Sequence, residues 1–387
     1  MPSLIRDRAT STPAMLAVFG DDALLRAALT FEAMLARAQG QVGLIPVSAA
    51  EAIAAACVEL PDIEILADEA AHAGTLAIPL VAMIRERIND PEITRHVHRG
   101  ATSQDLADTA LMLQAKAGAA LVVEETLRLA DALAALAERH AATPMLGRTL
   151  LQGALPITFG LKVAGWLQGV DGALARFRRE TAAIQLQLGG ATGSLADLDG
   201  QARAVTERLA ALLDLPAAET PWHSRREGLA GLASSLAILT GAIGKIAGDI
   251  ALMAQNEVAE AFEPRVAGRG GSSAMAHKRN PTGCQIALTA ATRAPHLAAT
   301  IVAALPQQHE RGLGGWQAEA PVLAELFQLT HGALAAMAPV IEGLEVDIDR
   351  MARNLAAADV GTDTGESEAL VAKTLSARAL ADHRKDR

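Results

Sequence analysis

Residues 103–140 read SQDLADTALMLQAKAGAALVVEETLRLADALAALAERH, a pattern of apolar and polar side chains that is typical of one long helix. Similar patterns cover residues 21–42, 48–58, 75–89, 156–188, 199–213, 226–262 and 281–305. No segment reads as strands that alternate between tight Asn-Gly or Asp-Gly turns. The sequence therefore predicts an all-α fold.

Five of these segments, 103–140, 156–188, 199–213, 226–262 and 281–305, are joined by short links and predict a central bundle of long helices. Helices of about thirty residues reach roughly 45 Å and expose apolar stripes that one chain can hardly cover. We therefore expect an oligomer, with the stripe over 228–253 packed against other subunits. We expect three parts: an N-terminal helical domain (1–97), the bundle (98–339) and a short, truncated C-terminal helical segment (340–387).

Composition limits the classes of protein to which the chain belongs. The net charge of −10 over 387 residues argues against nucleic acid, which needs an excess of Lys and Arg on some face. Two cysteines, Cys57 and Cys284, cannot form a disulfide framework and favour a reduced, cytoplasmic protein. The start lacks the pattern of a signal peptide. The longest apolar window, 228–244, holds four glycines and two serines, so we expect a buried helix and no membrane span.

Three interruptions between the helices concentrate polar and basic groups. They read HVHRGATSQD (96–105), RHAATPMLGRTLLQ (139–152) and EPRVAGRGGSSAMAHKRNP (263–281). Between 264 and 285 there are four basic residues, Arg265, Arg269, Lys278 and Arg279, and no Asp or Glu. That local balance indicates an anionic ligand.

The third interruption combines a glycine-rich, hydroxyl-bearing loop with the start of a helix. Asn280 and Pro281 are typical of an N-cap and a first helical residue, so a carboxylate is expected to bind the free N–H groups there. A flexible solvent loop is the alternative. A phosphate-binding loop does not fit, since Lys278 is neither preceded by Gly nor followed by Ser or Thr.

In the first interruption, Thr102, Ser103 and Asp105 predict a capping box that opens the next helix, and plain capping remains an alternative to ligand binding. His96 and His98 are possible metal ligands, but no third and fourth ligand follows at a suitable spacing. We therefore expect no metal.

Two further places carry polar groups at helix breaks. His140 ends a helix, where the dipole favours a cation. His309 and Arg311 lie in QQHERGLGGWQAE (307–319), for which a solvated charged turn is the alternative to ligand binding. The second interruption adds a polar run that suits a carboxylate. Its members are Arg148, Thr149 and Gln152.

Taken together, these segments resemble the fumarase/aspartase superfamily. GSSAMAHKRNP (271–281) is similar to its signature Gly-Ser-Ser-x-Met-Pro-x-Lys-x-Asn-Pro, and HRGATSQD (98–105) to its His-x-Gly-x-Thr-Ser-x-Asp. The resemblance implies three domains, a bundle of five long helices, a homotetramer with a twenty-helix core and active sites shared by three subunits.

The resemblance also implies roles for individual residues. Ser272 is the expected base on the loop, with Ser273 beside it, while Lys278 and Asn280 contact a substrate carboxylate. The candidate substrate contacts are His98, Thr102, Ser103, Arg148, Thr149, Gln152, His277, Arg279, Asn280, His309 and Arg311. No cofactor is expected, because the carboxylates of a polycarboxylate substrate supply the electron sink.

Two positions depart from the lyases of this superfamily. Leu150 stands where they have a catalytic histidine, and Gln285 where they have the glutamate that pairs with it. The branch that lacks this histidine is that of the bacterial carboxymuconate cycloisomerases. About 47 residues follow Val340, fewer than in the family's usual third domain, so substrate contacts from that domain are in doubt.

That branch implies a proton transfer beside one carboxylate and the addition or elimination of another. We assign the proton to Ser272, with His140 and His98 as second candidates, and the stabilisation of the enediolate-like intermediate to Lys278, Asn280 and the helix start. The alternatives are a fumarate-releasing lyase of the same superfamily and a non-catalytic binding protein on this scaffold.

Overall fold

The computed structural model describes residues 4–271, 275 and 278–383. Its helices are α1 (Leu4–Asp7), α2 (Pro13–Val18), α3 (Asp21–Gln41), α4 (Val47–Ala56), α5 (Ile63–Ala73), α6 (Ala77–Ile88), α7 (Pro91–Thr94), α8 (Ser103–Arg139), α9 (Phe159–Thr181), α10 (Ala202–Leu213), α11 (Glu227–Met253), α12 (Thr282–Ala303), α13 (Gly315–Glu342), α14 (Ile348–Ala358) and α15 (Ser367–His383). Its strands are β1 (Pro144–Thr149), β2 (Gln152–Thr158), β3 (Ala261–Phe262) and β4 (Glu345–Val346). A 3₁₀ turn covers Ala196–Leu198.

The bundle consists of α8, α9, α11, α12 and α13, and the all-α prediction is confirmed. Helix α8 has 37 residues, which corresponds to about 55 Å. One predicted member of the bundle is wrong, because the segment 199–213 forms only the 12-residue helix α10. The fifth long helix is α13, which runs through Pro321 and Pro339 although proline interrupts helical patterns in a sequence.

A β-hairpin follows α8, where the sequence predicted only irregular chain. Strands β1 and β2 pair antiparallel, with Pro144 opposite Thr158 and Thr149 opposite Gln152, and a bulge lies between Leu146 and Arg148. The predicted helix 156–188 is consequently wrong at its start, because residues up to 158 belong to β2. A second ladder pairs β3 with β4, so the predicted helix 226–262 ends at Met253 instead.

A buried charged triad ties three bundle helices together. Arg226 precedes α11, and its guanidinium donates to both oxygens of Asp108 on α8 at 2.8 Å. It also donates to the carboxylate of Glu319 on α13, from Nε at 3.0 Å and from Nη2 at closer range. All three side chains are buried, so the ion pairs fix how α8, α11 and α13 meet.

Three helices, α8, α11 and α12, are long and apolar enough to cross a membrane by length and composition alone. The buried share of their most apolar windows is 61% for α8, 50% for α11 and 28% for α12. Some small residues of α11 already allow close packing within the chain. A Cβ at Gly244 would lie 2.5 Å from the Cβ of Ala291. A Cβ at Gly241 would meet no described atom within 4 Å.

The predicted domain boundaries fall at different kinds of position. The first, after residue 97, lies in the irregular chain between α7 and α8, whereas the second, after residue 339, falls inside α13. The division into three domains stays a prediction.

Candidate active site

His98 lies on the short connection between α7 and α8 and faces a buried acid. Its Nδ1 is 2.6 Å from Oε1 of Glu32 on α3. The backbone of His98 has a φ of +62°, in the left-handed region that non-glycine residues rarely adopt. The connection is held on both sides, as Gln39 donates to the carbonyl of Arg99 at 2.7 Å and Arg85 to that of Val97 at 3.2 Å.

Thr102 and Arg311 meet at the start of α8, although they lie 209 positions apart in the sequence. Nη1 of Arg311 donates to Oγ1 of Thr102 at 2.6 Å. Ser103 is the first residue of α8 and is half-buried, whereas His309 is exposed and has a φ of +51°. Three of the predicted substrate contacts, Thr102, Ser103 and Arg311, therefore belong to one polar cluster at this helix start.

Asp105 holds this cluster in place, and its role goes beyond the predicted cap. Its Oδ2 accepts from the N–H of Thr102 and of Gly190, and its Oδ1 accepts from the N–H of Gly189, each at 2.9 Å. Nε2 of the buried His223 lies 2.7 Å from Oδ1. A Cβ at Gly189 would lie 2.6 Å from Cε1 of His223, so only glycine allows the backbone to approach this closely.

The hairpin gives Arg148 a different environment from that of Thr149 and Gln152. Both terminal nitrogens of Arg148 donate to the fully buried carboxylate of Glu260 at 2.8 Å, and Asn354 on α14 donates to the same carboxylate at 2.8 Å. Thr149 and Gln152 are exposed and flank the turn. The guanidinium of Arg148 is thus bound within the chain, and its assignment as a substrate contact stays a prediction.

Leucines occupy the hairpin turn. Leu150, which stands at the position of the lyases' histidine, is 97% exposed, and Leu151 is exposed as well. Both have positive φ, 50° and 64°, so two side-chain-bearing residues adopt the conformation that a tight hairpin turn requires.

His140 caps the C-terminal end of α8 and is buried. Its Nδ1 is 3.1 Å from Oγ1 of Thr143, and its ring packs edge-on against Phe159 with the ring centres 5.3 Å apart. Burial, with a smaller contribution from Arg139, lowers the pKa of His140. Both effects oppose the protonated ring, so they disfavour the expected cation that interacts with the helix dipole.

The N-terminus of α12 already holds a carboxylate of the chain itself. The N–H groups of Gly283 and Cys284 donate to the two carboxylate oxygens of Glu263, at 3.0 and 2.8 Å. Helix α12 begins at Thr282 with Pro281 as its N-cap, so the prediction of Asn280 as the cap is wrong. The expectation that these N–H groups bind substrate is corrected too, since Glu263 occupies them and satisfies the dipole.

Two of the four basic side chains of the third interruption are bound near its base. Arg279 donates to Glu345 at 2.9 Å and to the carbonyl of Glu263 at 2.6 Å. Arg269 reaches the carbonyl of Ala336 at 3.5 Å. Lys278 is exposed, and its ammonium forms no ion pair with any residue that the structure describes. Lys278 is therefore a cation of this segment that is available to an external anion, as is the exposed Arg265, which bonds Glu345 through its backbone N–H.

Asn280 ties the two ends of the loop together. Its N–H donates to the carbonyl of Gly270 at 2.8 Å, and its side-chain amide lies 3.4 Å from the carbonyl of Gly271. An open groove of about 750 Å³ adjoins this closure, lined by Asn280 and by residues of α12 that include the exposed Gln285. Ser272, Ser273 and His277 lie outside the described residues.

The candidate residues thus form three groups in one chain. The His98, Thr102 and Arg311 group lies at the start of α8, the Arg148 group at the hairpin, and the Lys278 group at the base of the loop. Residues 260–263 connect the second group with the third, since Glu260 binds Arg148 and Glu263 caps α12. Within the described part of the chain, no hydrogen bond joins the first group to the other two.

Sequence reasoning did not assign several residues that organise these groups. They are Glu32, His223, Glu260 and Glu263. His223 lies 118 positions from its partner Asp105. The three glutamates appear in the sequence as ordinary members of helices or loops, so no local pattern marks any of the four residues. Among the described residues, no group of three or more His, Cys, Asp or Glu side chains is arranged to hold a metal ion.

The fold combines a bundle of long helices, polar groups at the helix ends and a basic, glycine-rich loop. This combination is typical of all-helical lyase-type enzymes. Residues 7–295 match the family model described as lyase, and the chain belongs to this family, within the fumarase/aspartase superfamily. The chain is also similar in structure to a class II fumarase from Schistosoma mansoni, with a TM-score of 0.74 at 18% identity over 90% of this chain and 80% of that one, which supports the fold alone.

Two further relatives are more similar in sequence. A 3-carboxy-cis,cis-muconate cycloisomerase of Pseudomonas aeruginosa is 48% identical over 349 residues, which cover 88% of this chain and 75% of that protein. A nitrosuccinate lyase of Streptomyces davaonensis is 41% identical over 355 residues, covering 89% and 75%. Among solved structures, the 3-carboxy-cis,cis-muconate lactonizing enzyme from Pseudomonas putida matches with a TM-score of 0.87 at 42% identity, covering 98% of this chain and 89% of that chain.

Proposed function

We propose that this chain is a 3-carboxy-cis,cis-muconate cycloisomerase, which interconverts that substrate with 4-carboxymuconolactone in the degradation of aromatic compounds. The observation that carries the proposal is the 48% identity to a cycloisomerase over 88% of this chain. Leu150, at the exposed hairpin turn, agrees with it, because a leucine cannot act as the proton-transferring histidine of the other lyases.

The proposed reaction forms one C–O bond and one C–H bond. A carboxylate oxygen of the substrate attacks a conjugated carbon and closes the lactone, while the π electrons move toward the carbon beside another carboxylate. One proton is then added to that carbon. The enediolate-like intermediate carries two negative charges on one carboxyl group, so preorganised cations and N–H donors are needed around it.

In this mechanism Lys278 stabilises the enediolate, because it is an exposed cation at the base of the loop and forms no ion pair with the described residues. Asn280 is a second donor at that position, whereas the N–H groups of Gly283 and Cys284 are used by Glu263. The proton is assigned to Ser272, with Ser273 beside it, from the motif alone. A serine needs a nearby cation to act as a base, and Lys278 is six positions away in the chain.

Arg311, Thr102 and His98 are proposed to bind the substrate carboxylates that do not react. A guanidinium beside a hydroxyl at a helix start suits a carboxylate, and it fixes the register of the substrate in the site. Because the three groups of candidate residues lie apart in one chain, the complete site is proposed to form between subunits.

The direct test is an ultraviolet assay of the purified protein with 3-carboxy-cis,cis-muconate. Closure of the lactone removes the conjugated diene, so its absorbance is expected to fall with saturable kinetics, and the product is expected to match 4-carboxymuconolactone in mass and NMR spectrum. A protein that leaves the diene absorbance unchanged at micromolar enzyme would refute the proposed function.

A second candidate is a lyase that expels nitrite, favoured by the 41% identity to nitrosuccinate lyase. Both reactions pass through a carbanion beside a carboxylate, and they differ in the leaving group. Nitrosuccinate is therefore tested in parallel, with release of nitrite as the readout. Turnover of nitrosuccinate without turnover of the muconate would replace the first candidate by the second.

We also propose a cytoplasmic homotetramer assembled through the exposed apolar faces of the bundle. Only 28% of the apolar window of α12 is buried in the single chain, and Gly241 on α11 faces open space. Burying such faces against other copies removes apolar surface from water at about 25 cal/mol per Å². Light scattering is expected to give four times the mass of 40.1 kDa, and a monodisperse monomer would contradict this proposal.

A further inference from the structure

A buried acid lies directly behind His98. The side chain of Glu32 is 0% exposed, and its Oε1 is 2.6 Å from Nδ1 of His98. Its other oxygen, Oε2, has no hydrogen-bond partner among the described residues. A buried carboxylate is costly unless a cation compensates it, so this placement favours a positive charge on its neighbour.

The backbone at His98 is held in the left-handed conformation. A φ of +62° at a non-glycine residue is strained and persists only where the surroundings impose it. Gln39 lies about two turns after Glu32 on α3. It helps to impose this backbone conformation by donating to the carbonyl of Arg99. Strain of this kind is often found at functional sites.

The charged groups that face His98 come from three helices. They are Glu32 on α3, Asp105 on α8 and Arg85 on α6. Burial alone would lower the pKa of His98, but the charge and hydrogen bond of Glu32, with a contribution from Asp105, outweigh both burial and Arg85. The net effect is a raised pKa, which agrees with the geometry.

We infer that Glu32 is a positioning residue that holds the His98 ring as a cation, so that its Nε2–H donates to a carboxylate of the bound substrate. The side chain of His98 retains 16% exposure, and His98 lies four positions before Thr102, the partner of Arg311. The inference rests on the proposed function in one respect, namely the identity of the substrate whose carboxylate His98 binds. The acid itself touches no substrate.

The test compares the pH dependence of KM and kcat for the wild type and for Glu32→Gln. In the variant His98 loses its proton at lower pH, and KM is expected to rise about tenfold for each unit by which the pKa of His98 falls, once the pH lies above it. At lower pH, where His98 is protonated in both proteins, the two KM values are expected to converge. kcat is expected to change much less than KM.

A purely structural role for Glu32 would give a different result. It would lower activity by the same factor at every pH, together with a fall in Tm, and that outcome would overturn the inference. Glu32→Asp retains the charge and is expected to recover part of the lost affinity. The matched control is Glu51→Gln, which removes an exposed carboxylate paired with Arg37 at 2.9 Å and is expected to leave the pH profile of KM unchanged.

A measurement on the wild type keeps the inference testable if Glu32→Gln does not fold. The ring of His98, labelled with ¹⁵N and assigned with a His98→Gln variant, is expected to titrate above the ordinary value for histidine, about 6.5. Titration at or below that value would overturn the inference. If the protein turns over no muconate but His98 titrates high, the proposed substrate fails while the Glu32–His98 pair stands.

Discussion

Replacing Arg226 by methionine tests how the buried triad holds the bundle together. Methionine has similar length and no charge, so the change removes the guanidinium with little loss of volume. Arg226 donates to Asp108 and Glu319, which lie on α8 and α13. The variant leaves two carboxylates in the interior without their cation.

The magnitude follows from that desolvation. Removal of one partner from a buried ion pair costs about 3–5 kcal/mol, because an uncompensated charge remains. Burial already raises the pKa of Glu319, although Arg226 opposes the effect. Without Arg226 its pKa rises further. A carboxyl group whose pKa is higher in the folded than in the unfolded state destabilises the fold as pH increases, so the loss is expected to be largest near pH 8 and to shrink toward pH 5.

Urea unfolding followed by circular dichroism, at one protein concentration and several pH values, measures this loss. The control variant combines Arg226→Met with Asp108→Leu and Glu319→Met, which removes every charge of the triad. It is expected to recover most of the lost stability, since an apolar replacement of a buried ion network is often neutral or stabilising. Two results would refute the reasoning. One is a loss of unfolding free energy below about 1 kcal/mol that does not depend on pH, and the other is a triple variant that is less stable than Arg226→Met alone.

Two further predictions concern the site. Ser272→Ala is expected to lower kcat by about 10²–10⁴-fold with little change in Tm, because a general acid or base is lost. If Ser272→Ala retains near-normal turnover while His140→Asn is inactive, the histidine carries the proton. Lys278→Met is expected to raise KM strongly and to remove most of the salt dependence of substrate binding, because a trianion loses its exposed cation. A variant that keeps the wild-type KM, kcat and salt dependence between about 50 and 500 mM salt would exclude Lys278 from the site.

Four of the five long helices were predictable because their pattern repeats over many turns, whereas α13, which contains Pro321 and Pro339, was not. Helix α8 begins at Ser103 as predicted and ends one residue before the predicted end. The hairpin was not predictable in the same way. Its turn contains Leu150 and Leu151 with positive φ and no glycine or asparagine, so the usual signal for a tight turn is absent. Tertiary contacts, such as that between Arg148 and Glu260, stabilise it instead.

The site was predictable at the level of residue types and much less at the level of partners. Asp105 was recognisable as a helix cap from its spacing to Thr102 alone. Its bonds to Gly189 and His223 span 84 and 118 positions, and no local pattern reports a contact of that length. Sequence reasoning therefore identified candidate ligand contacts more readily than the residues that hold them in place.

The start of α12 shows why a sound rule still gave a wrong assignment. A helix N-terminus after a basic loop favours an anion, and the sequence placed no acid between 264 and 285. The acid that fills the position is Glu263, one residue before that window, which reaches Gly283 and Cys284 across the base of the loop. The rule thus identified the right chemistry but the wrong anion. Since Glu263 also lies next to the strand that pairs with β4, its carboxylate fixes the base of the loop, and Lys278 remains an exposed cation available to a substrate carboxylate.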